Sequence, residues 1–272
     1  MNVSEVLTRL TEQANLSLVI FTMGLLLCRI MPVLVLSPFL GGEVVPTEIK
    51  MGVGVTLSAV LFPAVSARMG AIPTTALPYI GLLLKEIFIG VALATIVSMV
   101  FEAARVAGNV ADTMSGSNNA QLFVPQLGQQ VTLFSNLKVQ LAVVMFLTLN
   151  GHHLIIEALA DSLVIVPLDS FPRFSSGSWP FFELFIRSFA DLLKIALALA
   201  APTTLASFLT DLALGAVNRL APQVQVFFIS MSIKPLVTVI VVTMSMGLIM
   251  GRMQAEFAAM LALLRHAVRL LG

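Results

Sequence analysis

The chain has 272 residues, of which 58% are hydrophobic and 11% charged, with a mean hydropathy of +1.00. A soluble domain carries about 25% charged residues, so apolar surface on this scale calls for a bilayer or burial in a membrane-associated assembly, and a soluble enzyme is excluded. The net charge of +1 offers no basic face for nucleic acid, and the single cysteine, Cys28, leaves no intrachain disulfide and no cysteine-rich metal site.

The N-terminus lacks the basic region, short apolar core and small-residue cleavage site of a secretory signal. Glu5, Arg9 and Glu12 recur at helical spacing around Val6, Leu7 and Leu10, which predicts a short amphipathic helix leading into a first span. A spanning helix needs about 20 mostly apolar residues. Six segments approach that length. The first, 16–40, is interrupted by Arg29 and Pro32, and the second is 51–67. The third, 77–101, contains Lys85 and Glu86, and the fourth, 131–156, has Lys138 near its start. The fifth, 184–210, carries Arg187, Asp191 and Lys194, and the sixth, 224–250, carries Lys234 and Pro235. The tail 252–271 reads as an amphipathic helix, with Phe257, Met260, Leu261 and Leu264 on one face and Arg265 and Arg269 on the other. Connections 41–50 and 68–76 are short and punctuated by Gly or Pro. Residues 102–130 are small and polar and read as a long loop; 157–183 is turn-rich and holds Trp179; 211–223 holds Gly215, Asn218, Arg219 and Pro222. No short-period repeat is present. The predicted fold class is all-α: a polytopic membrane protein of about six long, partly broken hydrophobic helices in hairpins.

Two features set this chain apart from a bundle bathed in lipid. Almost every span holds a charge, and each charge at mid-bilayer costs at least ~2.5–3.5 kcal/mol. The chain has one Trp and one Tyr, too few for the interfacial aromatic belts of lipid-exposed helices. Small residues abound instead, as in GVALATIVS (90–98) and KIALALAAPTTLAS (194–207), and let helices approach closely. Most helix surface is therefore expected to contact protein, within the chain or on partner subunits. Arg9, Arg68, Arg173, Arg252, Arg265 and Arg269 fall on one side of a six-span topology and Lys50, Arg105 and Arg219 on the other, which leans toward a cytoplasmic N-terminus.

Few residues point to chemistry. The segment 102–130 reads either as an exposed connection or as a re-entrant, pore-blocking loop. Gly108, Gly116 and Gly128 supply flexibility, and Asp112, Ser115, Ser117, Asn118 and Asn119 supply hydrogen-bonding groups. Irregular backbone at membrane depth is tolerated only where protein buries it or it lines a cavity. In LNGHH (149–153), His152, His153 and the following Glu157 could begin a metal site. Zinc needs three or four ligands, only His266 remains as a further histidine, and HExxH is absent, so these read as helix-end residues at a membrane surface. Arg187, Asp191 and Lys194 stand at i, i+4 and i+7, one acid between two bases, which suits structural pairing better than an ion relay. Lys234 beside Pro235 is expected to contact a neighbouring helix or subunit at a kink. No nucleophile elbow, P-loop or dinucleotide fingerprint occurs, so no enzymatic activity and no cofactor are predicted.

Several stretches, in order, resemble one family. They are SPFLGGEVVPTEIKMGVG (37–54), KEIFIGVAL (85–93), FLTLNGHHLIIEALADSLVIVPL (146–168) and LALGAVNRLAPQVQVFFISMSIKP (212–235). Together they are similar to the FliR/SctT family of type III export-gate subunits, flagellar or injectisome. LNGHH leans to the flagellar branch and FFISMSIK to the injectisome. The resemblance implies a core structural and gating subunit of the inner-membrane export gate through which unfolded polypeptides pass. It implies a FliP/SctR-like part over 1–178 and a FliQ/SctS-like helical hairpin over 179–272. It implies FliP/SctR-like and FliQ/SctS-like partners, an FlhB/SctU-like switch protein, the rod or needle base, exported polypeptides and membrane lipid, in a basal body with part of the protein on the periplasmic side. It assigns a plug to the loop 106–125, carried here by Asp112, Met114, Gly116, Ser117, Asn118, Asn119, Leu122 and Phe123. Subunit packing falls to Lys85, Glu86, Arg219, Pro222, Gln223 and Lys234. The alternative is a transporter or ion channel working alone.

Overall fold

The computed structural model describes residues 3–38, 45–66, 75–117, 122–124, 129–174 and 177–272. In chain order these form α1 (Val3–Leu36), α2 (Thr47–Ser66), α3 (Ala76–Ser115), β1 (Leu122–Val124), β2 (Gln129–Val131), α4 (Leu133–Thr148), α5 (Gly151–Ile165), α6 (Trp179–Leu220) and α7 (Val226–Leu271). The fold is all-α, with one small antiparallel ribbon pairing Leu122 with Val131, Phe123 with Gln130 and Val124 with Gln129. Among the described residues, five helices are long and apolar enough to cross a membrane, or six if the broken pair α4 and α5 counts as one span.

The helices depart from the predicted segments in five places, one being the turn-rich 157–183, which is helical through Ile165 and again from Trp179. The expected N-terminal helix and first span are one helix, α1, which runs through Pro32. The polar segment predicted as loop from residue 102 is helical to Ser115. Its small residues form a stripe: Ala103, Ala107 and Ala111 recur every four positions and are fully buried. Alanine is the best helix former, so the polar residues between them decorate one side of a helix. The predicted span 131–156 is instead broken after Thr148, where Asn150 takes φ 57, a left-handed conformation that Asn tolerates. A Cβ on Gly151 would run into the Phe146 ring. Lastly, the sixth span and the amphipathic tail are one 46-residue helix, and the 211–223 connection shrinks to residues 221–225. At 1.5 Å per residue α6 and α7 are ~63 and ~69 Å long, about twice a hydrocarbon core of roughly 30 Å.

By contacts the chain divides into two compact units drawn from interleaved segments. One comprises Met1–Val97, His153–Leu184 and Ala262–Gly272; the other comprises Ser98–His152 and Phe185–Leu261. These units are defined by packing, whereas the division after residue 178 is one of sequence resemblance. The first unit packs Leu25, Leu26, Leu82, Leu163 and Leu168 together, flanked by Phe21 and Tyr79, whose rings meet edge to face at 4.8 Å. The second is built on a triangle of buried rings, Phe101, Phe146 and Phe257, with centroids 5.2–5.4 Å apart. Such pairs add about 0.5–1.5 kcal/mol each beyond area burial.

Candidate functional site

The ribbon β1–β2 lies in the chain between the end of α3 and the start of α4, and buried polar residues join those two ends. A helix start leaves backbone N–H groups without intrahelical acceptors, and the residue before it normally supplies a side-chain oxygen. Thr132 occupies that position with extended backbone (φ −82, ψ 150), yet its side chain makes no capping bond. The acceptor comes from α3 instead. Asp112, fully buried, accepts the N–H of Phe134 at 3.0 Å through one carboxylate oxygen and that of Ser135 at 2.9 Å through the other. The carboxylate also faces the positive end of the α4 dipole.

Around it the two helices are stitched further. The Ser135 hydroxyl donates to the Arg105 carbonyl and the Thr132 hydroxyl to Asn109 Oδ1, both at 3.2 Å. Gly108 permits the approach, since a Cβ there would meet Ser135 N at 2.7 Å and the Phe134 carbonyl at 2.9 Å. One turn into α4, buried Lys138 donates to the carbonyls of Ala107 and Leu199, both at 3.2 Å, and so ties α3, α4 and α6 together. Pro202 has no N–H to close its turn of α6, which loosens the helix beside the Leu199 carbonyl that Lys138 engages.

These contacts sort the predicted plug residues. Asp112 is not a loop residue pointing into open space; it is buried in the last turn of α3, consumed by the start of α4. Met114 is 43% exposed. Gly116 ends the helix at φ 72, and Ser117 is buried, its hydroxyl 2.6 Å from that of Ser115. Leu122 and Phe123 lie on β1, while Asn118 and Asn119 fall outside the described residues. The sequence reading missed Gly108 and Thr132 as joint-forming residues. Thr132 reads in the sequence as an ordinary N-cap, so no local signal named Asp112 as the group that caps α4.

A second charged cluster lies in the first unit. Arg29 on α1 is fully buried and forms a two-pronged pair with Glu86 on α3. Its remaining donors reach the carbonyls of Ser162 at 2.8 Å and Val166 at 2.9 Å, at the end of α5. Lys85 pairs with Glu86 and donates to the carbonyls of Pro167 (3.0 Å), Leu168 (3.1 Å) and Ser170 (3.0 Å). One carboxylate thus serves two cations, and both cations cap carbonyls where α5 runs out, at the negative end of its dipole. Lys85 and Glu86 were expected to pack against a neighbouring subunit. They are 6% and 0% exposed and satisfied within the chain, because charges on an apolar helix are stabilised by the nearest buried partners.

The other expected packing residues differ. Arg219, Pro222 and Gln223 are exposed around the α6–α7 turn, and Lys234 on α7 forms an ion pair with Asp211 on α6 across that hairpin. Asp191 and Lys194 pair at 2.8 Å on an exposed face of α6, flanked by exposed Ile186, Leu193 and Leu197. Glu157 lies 3.7 Å from Arg265, and no group of three His, Cys, Asp or Glu that could hold a metal ion occurs among the described residues.

The profile of a family described as "Bacterial export proteins, family 1" matches residues 20–260. The "Flagellar biosynthetic protein FliR" of Bacillus subtilis (strain 168) is 28% identical over 251 residues, 91% of this chain and 95% of that protein. The protein of the same name from Aquifex aeolicus (strain VF5) is 27% identical over 229 residues, 84% of this chain and 86% of its own. The "Yop proteins translocation protein T" of Yersinia pestis is 31% identical over 216 residues, 79% of this chain and 82% of that protein.

Proposed function

This chain belongs to the bacterial export proteins, family 1, and from that membership we propose its place in the export machine. It is a multi-pass membrane subunit of a type III protein export apparatus, in a family of export components and not of enzymes. Within that apparatus it serves as a core structural and gating subunit of the inner-membrane gate. Part of the protein stands on the periplasmic side of the basal body. Its partners are FliP/SctR-like and FliQ/SctS-like subunits, an FlhB/SctU-like switch protein and the rod or needle base. Residues 1–178 correspond to the first of these subunit types and 179–272 to the second.

The observation that supports gating is the clamped stem. A polar stretch of sequence bearing the short β1–β2 ribbon lies between α3 and α4, and the facing ends of those helices are held together by the buried carboxylate of Asp112, which accepts two N–H groups of α4. Non-helical backbone is tolerated at membrane depth only against protein or a cavity, and a plug in a closed pore satisfies both conditions. Met114, Gly116, Ser117, Asn118, Asn119, Leu122 and Phe123 are the plug, with Asp112 beneath it. Arg219, Pro222 and Gln223 at the exposed hairpin turn contact an adjacent subunit.

Two measurements test this. Co-expression with the neighbouring operon genes and native mass spectrometry should yield one copy of this chain in a complex with two other small membrane proteins. A stable monomer that transports solutes by itself overturns the reading. Replacing residues 118–128 by a short linker, with Asp112 retained, should leave assembly intact and make the closed complex conduct small ions; a tight complex overturns the plug.

A further inference from the structure

We infer that Asp112 is a positioning residue of the gate: its carboxylate locks the α3–α4 stem and thereby sets where the β1–β2 ribbon sits. This inference rests on the gating reading above and deepens it. The case begins with the empty cap. Thr132 is placed to cap α4 and does not, while the two N–H groups that a capping side chain would bind are taken by a carboxylate from another helix. A local cap would stabilise α4 just as well. The cross-helix cap does one thing more, which is to fix α4 against α3. The surrounding residues serve the same tie. Gly108 brings the backbones together, Asn109 and Arg105 accept from Thr132 and Ser135, and Lys138 pins Ala107. Val131 of the ribbon is followed directly by Thr132, so a shift of the α4 start relative to α3 moves one end of the ribbon against the other.

The two roles of Asp112, capping α4 and tying it to α3, separate experimentally. Asp112→Asn leaves one acceptor oxygen and turns an N–H donor toward a backbone N–H, so at least one charge-assisted bond is lost. A loss of that size moves the stem's closed-to-open population about tenfold or more. In the purified complex with its partner subunits, reconstituted in planar bilayers, D112N is expected to raise closed-state conductance by about that factor with unchanged subunit stoichiometry by native mass spectrometry. Adding Thr132→Asp supplies a local cap to α4. The double variant D112N/T132D should recover thermal stability and stay leaky.

A tight D112N/T132D overturns the inference, because Asp112 then only caps α4; a tight D112N overturns it as well. If D112N fails to assemble, Gly108→Ala separates the same helices with the carboxylate in place, and a tight G108A complex overturns the inference. The 118–128 linker variant is measured alongside. If it conducts and D112N does not, the clamp alone fails; if it stays tight, the gating reading fails and the clamp's role with it.

Discussion

Replacing Glu86 by glutamine removes one charge and nearly no volume, and it should be among the most damaging single changes in the first unit. Glu86 is the shared partner of Arg29 and Lys85, and all three are 6% exposed or less. Removing one member of a buried pair costs about 3–5 kcal/mol, because the remaining charge loses its compensation. Here two cations lose it together, although both keep their carbonyl acceptors. E86Q is therefore expected to lose about 3–5 kcal/mol, read by far-UV circular dichroism of the detergent-purified protein against a titration of SDS in mixed micelles. The structure also predicts what will not rescue it. Buried ion pairs can often be exchanged for apolar residues at no loss. R29M/K85M/E86M leaves no buried charge, but it strips the side-chain donors from the carbonyls of Val166, Leu168 and Ser170, while those of Ser162 and Pro167 keep a backbone N–H from Val166 and Ser170. Each carbonyl left unpaired costs about 1–3 kcal/mol, so the triple variant should be no more stable than E86Q. A triple variant as stable as the wild type would refute the idea that these cations hold the end of α5.

Phe257→Ala, which empties one corner of the triangle with Phe101 and Phe146, should cost about 3–5 kcal/mol in the same titration. Asp191→Ala should cost no more than about 0.5 kcal/mol in the isolated chain, since its pair with Lys194 is 59–75% exposed; a larger loss would show that the pair does structural work within the chain. At the break between α4 and α5, Asn150→Gly should be neutral or stabilising. Asn150→Val should lose about 1–2 kcal/mol, because φ 57 suits Gly and Asn and crowds a β-branched side chain. Equal stability of the two variants would show that the turn relaxes.

Composition and the placement of charges were enough to settle the class of this protein. Its 58% hydrophobic and 11% charged content admits no soluble fold, and the order of the apolar segments carries the family resemblance. The pairing of Asp191 with Lys194 was also readable, because residues i and i+3 meet on any helix. The partner of a lone buried charge was not readable. Arg29 and Glu86 stand 57 positions apart, and nothing local to either names the other. Asp112 shows the same limit from the opposite side. Amid Gly, Ser and Asn it has the composition of a loop residue, yet the buried Ala103–Ala107–Ala111 stripe carries the helix on to Ser115. Once it is a helix, its carboxylate comes within hydrogen-bond reach of an α4 start that the intervening ribbon brings back beside it. Hydrophobicity and helix periodicity act over a few residues and are written along the chain. The pairing of buried polar groups is decided by which segments the tertiary fold brings within about 3 Å of one another.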